Sequence, residues 1–307
     1  MTGHLPVLLA EVLQVLQPRD GGRYLDATFG GGGHSAAILE ATATGQLTAL
    51  DCDPEAAARV DSLRASFGER LSFHGINFRD IGTIPEGPFD GILFDLGVSS
   101  FQLDDPQRGF SFRAGGPTDM RLNPREGLSA ALFLETAPRE DLIRAVRDYG
   151  EEQSWRRVVD TIMQARGSGT LSDTASLAAL VSSVVRKTYG RSTIHPATLT
   201  FQGIRLAVNE ELASLEAALP AAFEKLAPGG VLAVISFHSL EDRLVKRFFR
   251  RMAGMPEHEN DSAPQQSRTV RAQLITKRPI GPTEEEVKLN PRARSSRLRA
   301  LRKEAKA

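Results

Sequence analysis

Gly22-Arg23-Tyr24-Leu25-Asp26-Ala27-Thr28-Phe29-Gly30-Gly31-Gly32-Gly33-His34-Ser35 decides the fold, because an apolar strand runs into four consecutive glycines and then into a helix over 35–40. Glycine takes positive φ without strain and, lacking Cβ, lets a ligand approach the backbone N–H groups. The helix that follows turns its positive end toward the same spot, so the loop reads as one that handles a nucleotide. The dinucleotide fingerprint G-x-G-x-x-G needs a third glycine where this chain has Ser35, counting from Gly30, or Ala36, counting from Gly31. Nicotinamide and flavin cofactors are therefore disfavoured. One strand later, 46–50 closes on Asp51, at the distance expected of an acid that hydrogen-bonds ribose hydroxyls.

Working outward, apolar runs bounded by turn residues place core strands near 24–28, 47–50, 71–74, 89–96 and 231–236, with helical segments between the early ones. Alternating strand and helix means a parallel sheet covered on both faces. Positions 97–230 far exceed one crossover, so an inserted domain is expected. Trp155, Val158, Val159, Ile162 and Met163 recur at helical spacing, as do Leu177, Leu180, Val181, Val184 and Val185, with Ser172 as the expected N-cap of the second helix. The reading is a first sheet part at 1–101, a small helical insert at 102–194, and a second sheet part at 195–307 ending in a basic tail. Pro196 opens one long helix whose stripe is Phe201, Ile204, Val208, Leu212, Leu215 and Leu219. The polar stretch 256–267 reads as a mobile loop. The stretches 273–276 and 295–299 are candidates for two last strands.

At 307 residues, 41% hydrophobic and 25% charged, the chain can bury a sizeable core. A single cysteine excludes an internal disulfide, the six histidines show no ligand spacing, and no run approaches the roughly 18 apolar residues of a membrane span. The expectations are a cytoplasmic protein with no membrane partner and no metal; a homodimer stays open. The 38 basic and 38 acidic residues cancel, which alone argues against a nucleic-acid partner. Their distribution argues the other way. Lys288, Arg292, Arg294, Arg297, Arg299, Arg302, Lys303 and Lys306 face only Glu304 from position 288 onward, and Arg243, Lys246, Arg247, Arg250 and Arg251 form a second cluster. Each cluster is either a solvated face or a set of phosphate contacts.

Acids stand before the glycines (Asp26), after the second strand (Asp51) and at the end of the fourth (Asp95). With them come six blocks in order: His4-Leu5-Pro6-Val7-Leu8-Leu9-Ala10-Glu11, Gly91-Ile92-Leu93-Phe94-Asp95-Leu96-Gly97-Val98-Ser99-Ser100, Arg108-Gly109-Phe110-Ser111-Phe112, His195-Pro196-Ala197-Thr198, Ile235-Ser236-Phe237-His238-Ser239-Leu240-Glu241-Asp242-Arg243 and Asn290-Pro291-Arg292-Ala293-Arg294-Ser295-Ser296. From about position 4 to 299 the chain thus resembles the bacterial ribosomal RNA small subunit methyltransferase H family.

The resemblance implies an α/β fold, a Rossmann-like class I S-adenosylmethionine methyltransferase sheet with an inserted small helical domain, finished by an antiparallel pair. It implies S-adenosylmethionine-dependent N4-methylation of one cytidine in the decoding centre (P site) of 16S rRNA, on a nearly mature small ribosomal subunit. By the same resemblance Gly32, Gly33 and His34 contact the donor through the loop, Asp51 the ribose, Phe78 the adenine surroundings, and Asp95 and Gln102 the remainder. Each has a plainer competing role: a tight turn, a cap, ordinary core. One departure stands out, because Leu199 occupies the position where the family usually has arginine, leaving Arg205 or Arg191 to substitute.

Methyl transfer from a sulfonium needs alignment and exclusion of water more than acid–base power. The cytosine amine is a poor nucleophile, so hydrogen-bond acceptors for its N–H groups are expected at the end of the fourth strand. The Asn/Asp-Pro-Pro-Tyr segment of DNA amino methyltransferases is replaced there by Asp95-Leu96-Gly97-Val98-Ser99-Ser100, which leaves the catalytic group unassigned among Asp95, Phe237, His238 and Asp242. Phe237 could stack on a flipped base with His238 or Asp242 bonding near it, or these residues could simply open the next helix. Arg108 to Arg113, with Arg121, is a second RNA-contact candidate whose rival is packing. A nicotinamide oxidoreductase lacks its glycine spacing, a serine hydrolase lacks a G-x-S-x-G elbow, and a non-catalytic RNA-binding protein would have little use for the three acids.

Overall fold

The computed structural model describes residues 6–185 and 195–305. His4, Leu5, Arg191 and Lys306 lie outside the described residues. The chain divides into two compact units, one of Met1–Gly97 with Leu212–Ala307 and one of Val98–Glu211. The division falls after 97 and 211, where the sequence pattern places it after 101 and 194.

The first unit is built on a seven-stranded sheet: β1 (Arg23–Asp26), β2 (Gln46–Leu50), β3 (Leu71–His74), β4 (Phe89–Asp95), β5 (Leu226–Ser236), β6 (Ala272–Leu274) and β7 (Arg297–Lys303). Their order is β3-β2-β1-β4-β5-β7-β6. The first five run parallel, and β7 pairs antiparallel with both β5 and β6, as the family resemblance implies. This is the Rossmann-like sheet that the family resemblance implies. The period of two along each strand sorts the side chains to two faces. Ile92, Phe94, Leu232 and Val234 enter one core, covered by α10 (Glu211–Lys225) and α11 (Ser239–Met252) through Leu215, Leu219, Phe223, Val245 and Phe249. Leu93, Val231, Ala233 and Ile235 enter the other, covered by α1 (Leu9–Leu16), α2 (Gly33–Glu40) and α3 (Ala56–Phe67) through Val12, Ile38, Leu39 and Val60.

The second unit holds α4 (Ser100–Asp104), α5 (Ala130–Thr136), α6 (Arg139–Ile143), α7 (Trp155–Ala165), α8 (Thr174–Val184) and α9 (Thr198–Val208) around its own apolar core. The periodic residues Val158, Val159 and Ile162 of α7 and Leu177 and Val181 of α8 are buried in it. One further helix of the first unit, α12 (Glu284–Leu289), precedes β7. No helix among the described residues is long and apolar enough to cross a membrane.

Two local expectations are corrected. The N-cap of α8 is Asp173, whose carboxylate accepts from the Ser176 N–H, while Ser172 ends a short 3-10 turn. The single long helix is two, α9 and α10. Asn209 breaks it, accepting from Leu122 N–H at 2.7 Å and donating to the Met120 carbonyl at 2.7 Å, and Glu210 then takes a positive φ of 48°. Within 256–267, Arg268 donates to both carboxylate oxygens of Asp261 at 2.7 and 2.9 Å and to the Ala263 carbonyl at 2.9 Å.

The basic tail is also corrected. Its 297–303 part is a sheet strand, and two of its cations are interior. Lys303 donates to the carbonyls of Phe223, Glu224 and Leu226, capping the C-terminal end of α10, where a cation opposes the helix dipole. Arg299 is likewise buried, paired with Asp242 on α11.

Candidate donor site at the glycine loop

Strand order reverses between β1 and β4, whose neighbours run off in opposite directions along the sheet. In open α/β sheets a ligand crevice lies outside the carboxyl ends of the strands at such a point. The chain leaving β1 forms the floor of that crevice. Phe29 N–H donates to the Leu50 carbonyl at 2.9 Å, and Gly30 N–H donates to Asp51 Oδ2 at 2.7 Å, so the loop is stitched to the end of β2. Gly30 and Gly32 adopt φ of 52° and 78°, in the region that favours glycine. A Cβ on Gly32 would meet the Phe29 ring at 2.7 Å, and one on Gly33 would meet Pro6 at 2.5 Å.

Asp51 uses both oxygens on backbone, accepting from Gly30 N–H and, at 2.8 Å, from Asp53 N–H. Burial nevertheless pushes its carboxyl up to about 6. Asp26, 1% exposed, accepts from Ser35 Oγ–H at 2.6 Å and Thr28 N–H at 3.1 Å, joining the end of β1 to the first turn of α2. Burial raises its pKa against these bonds. Thr28 in turn accepts from Asp95 N–H at 2.6 Å, which fixes the end of β4.

His34 is 6% exposed, with Nε2 at 3.5 Å from Asp95 Oδ2. That spacing is an ion pair rather than a good hydrogen bond, and both ring nitrogens lack a hydrogen-bond partner among the described residues. Burial works against the imidazolium, but the carboxylates of Asp95 and Asp26 outweigh it and hold the pKa of His34 above its ordinary value. Asp95 Oδ1 is buried and equally unpartnered. Buried polar groups without partners are costly, so Asp95 Oδ1, beside the loosely paired His34 ring, marks a place where a polar ligand completes the bonding.

The structure thus brings together Gly32, Gly33, His34, Asp51 and Asp95. It adds Asp26, Thr28 and Ser35, of which only Asp26 carried a sequence signal; the hydroxyls matter through contacts that no spacing reveals. Phe78 opens a 3-10 turn capped by Asn77 and packs edge-on against Phe94, ring centroids 5.7 Å apart, on the same sheet. Gln102 lies in the other unit, where its Oε1 accepts from Ser99 N–H at 2.9 Å and closes the capping box of α4.

At the end of β5, His238 is the N-cap of α11: its Nδ1 accepts from Glu241 N–H, while Glu241 Oε2 accepts from Phe237 N–H at 2.9 Å. Of the two roles open to His238, this geometry shows the helix-opening one. Asp242 sits in a structural pair: Arg299 donates to both its oxygens at 2.7 and 3.1 Å and Arg297 to one of them at 3.1 Å, which ties α11 to β7. Burial pushes its pKa up, but the two guanidiniums more than offset this and hold it below the usual carboxylate range. Arg108 is also structural: it is 7% exposed and donates to the carbonyls of Arg121 and Leu122, while Phe112 stacks edge-on against Phe201 inside the helical unit.

A family model described as the MraW methylase family matches residues 1–304. A ribosomal RNA small subunit methyltransferase H of Thermomicrobium roseum is 50% identical over 97% of this chain and 93% of its own length. The proteins of the same name from Heliobacterium modesticaldum and Gluconobacter oxydans are 46% and 47% identical, each over 98% of this chain and covering 98% and 93% of themselves. With a match along almost its whole length, the chain belongs to the MraW methylase family.

Proposed function

We propose that this protein transfers a methyl group from S-adenosylmethionine to N4 of a cytidine in the decoding centre, at the P site, of 16S rRNA, acting on the small ribosomal subunit in the cytoplasm. The family and the names of the relatives support a small-subunit rRNA methyltransferase that uses this donor. The observation that carries the finer reading is the buried, unpartnered Asp95 Oδ1 at the end of β4, next to the His34 imidazole. An acceptor fixed there suits a nucleophile that carries N–H groups.

When bound, S-adenosylmethionine supplies a methyl carbon attached to positively charged sulfur. Asp51 suits its ribose hydroxyls, the N–H groups of Gly32 and Gly33 its polar tail, and Phe78 its adenine. Asp95 then accepts from the cytosine N4–H, turning the nitrogen lone pair out of conjugation toward the methyl carbon. With the donor bound, its sulfur would leave with the C–S bonding pair as N4 takes the methyl carbon, and Asp95, already bonded to the N4–H, would accept the proton that N4 loses. His34, whose pKa the carboxylates of Asp95 and Asp26 raise against the effect of burial, pairs with Asp95 Oδ2 at 3.5 Å and leaves Oδ1 for the substrate.

The test incubates the protein with labelled S-adenosylmethionine and undermethylated small subunits and maps modified nucleotides by mass spectrometry. One new N4-methylcytidine in the decoding centre is expected. Label on another atom or another nucleotide defeats the reading, as does RNA binding without methyl incorporation.

A further inference from the structure

A second cavity lies beyond the end of β5, at the turn that opens α11. The turn faces the segment 279–297 across a cleft of about 540 Å³. Phe237, His238, Ser239, Arg294, Ser296 and Arg297 line it, and no aspartate or glutamate does. Three observations about its walls point to the same occupant.

The charges do not balance. Asp242 is the single carboxylate shared by Arg297 and Arg299, which leaves one surplus positive charge, and Arg297 is half exposed on the cleft side. Arg294 adds another cation; it is exposed and has no ion pair among the described residues. The second observation is a hydroxyl. Ser296 is 2% exposed, yet its Oγ has no hydrogen-bond partner among the described residues. A buried hydroxyl left this way is costly unless a ligand bonds it. The third is Phe237. Its ring packs against the core on one side and lies near Gly97, where a Cβ would touch it at 3.7 Å, two residues beyond Asp95. It therefore stands between the end of β4 and the cleft.

From these we infer that the cleft holds one nucleotide of an RNA strand, with its phosphate between Arg294 and Arg297, bonded by Ser296, and its base against Phe237. Side chains hold the phosphate, because Glu241 already takes the N–H groups of Phe237 and His238 at the start of α11. The inference rests on the RNA substrate proposed above and adds a contact for it. It also gives Arg294 and Ser296 of the 290–296 block a use that neither the donor nor the sheet requires.

The test uses the full-length protein and a fluorescein-labelled single-stranded RNA oligonucleotide, with binding read by anisotropy over a salt series. Arg294→Glu is expected to weaken binding about tenfold and to lower the slope of log K against log salt by about one. Arg294→Lys should recover most of the loss, and donor binding by calorimetry should be the same in all three proteins. Thermal unfolding checks that the charge reversal folds; if it does not, Arg294→Ala takes its place. Wild-type affinity and slope in the variant overturn the proposal, as does a wild type that binds no RNA. If the wild type binds RNA as described but leaves small subunits unmethylated, the target assignment fails while the cleft stands.

Discussion

Asp51 and His34 are the two side chains whose ionisation the fold has displaced most usefully. Asp51, raised to about 6 by burial, must be ionised to accept fully from two ribose hydroxyls. The sign follows. Affinity for S-adenosylmethionine is expected to be level above pH 7 and to fall as pH drops through about 6. Asp51→Asn should weaken binding on the order of 10- to 100-fold, the worth of charge-assisted hydrogen bonds, and abolish the step. Calorimetry across that range checks it; an unchanged step in the variant would mean that another group titrates. His34 shows the reverse arrangement. Its folded pKa is raised, so the stability it contributes is complete below pH 6.5 and is lost as pH climbs through the folded value. In Asp95→Asn the carboxylate that outweighs burial is gone, and the His34 imidazole should titrate at lower pH in an NMR experiment. Identical titration in both proteins would show that Asp95 does not hold the proton there.

Among the elements, the pairing of α9 with the turn before Gly150 offers a contest of signs. Helix propensity alone says that Gly203→Ala stabilises α9 by about 1 kcal/mol. A Cβ at Gly203, however, would lie 2.0 Å from the Ala145 carbonyl oxygen and 2.6 Å from the Gly150 nitrogen, both backbone atoms. The clash should win, with a net loss of about 1–3 kcal/mol in the helical unit. Thermal unfolding decides between them, and a higher Tm in the variant would show that the two segments can separate cheaply. The link between α11 and β7 is held differently. Asp242→Ala strands Arg297 and the buried Arg299, and about 3–5 kcal/mol of stability should go with it in denaturant titration, while donor affinity stays near the wild-type value. A loss of donor binding without loss of stability would return Asp242 to the site.

The same elements explain what could be read in advance. The central parallel strands announce themselves because both faces are covered, so Ile92–Phe94 and Val231–Ile235 are uninterrupted apolar runs. The break at Asn209 is invisible to periodicity, since its partners Met120 and Leu122 lie far back in the chain. Arg299 and Lys303 resemble solvated charge for the same reason: what neutralises them is a carboxylate on α11 and the carbonyls that end α10. Glycines and acids at strand ends are local signals, and they delivered the loop, Asp51 and Asp95. The sequence offered no means of knowing that Gln102 and Asp242 already have structural partners.

At the level of the whole molecule, two compact units divide the work. One is a sheet whose strand reversal gathers Asp26, the glycines, His34, Asp51 and Asp95 at one edge; the other is a helical body with its own core. Everything proposed for catalysis depends on the methyl donor lying at that reversal, with its ribose on Asp51 and its sulfur toward Asp95. A crystal grown with S-adenosylhomocysteine measures this directly. The expected result is density over the glycine loop, with the ribose hydroxyls within hydrogen-bond distance of the Asp51 carboxylate and the thioether facing the Asp95–His34 pair. Density at any other place on the sheet, or an empty loop at saturating ligand, would contradict it.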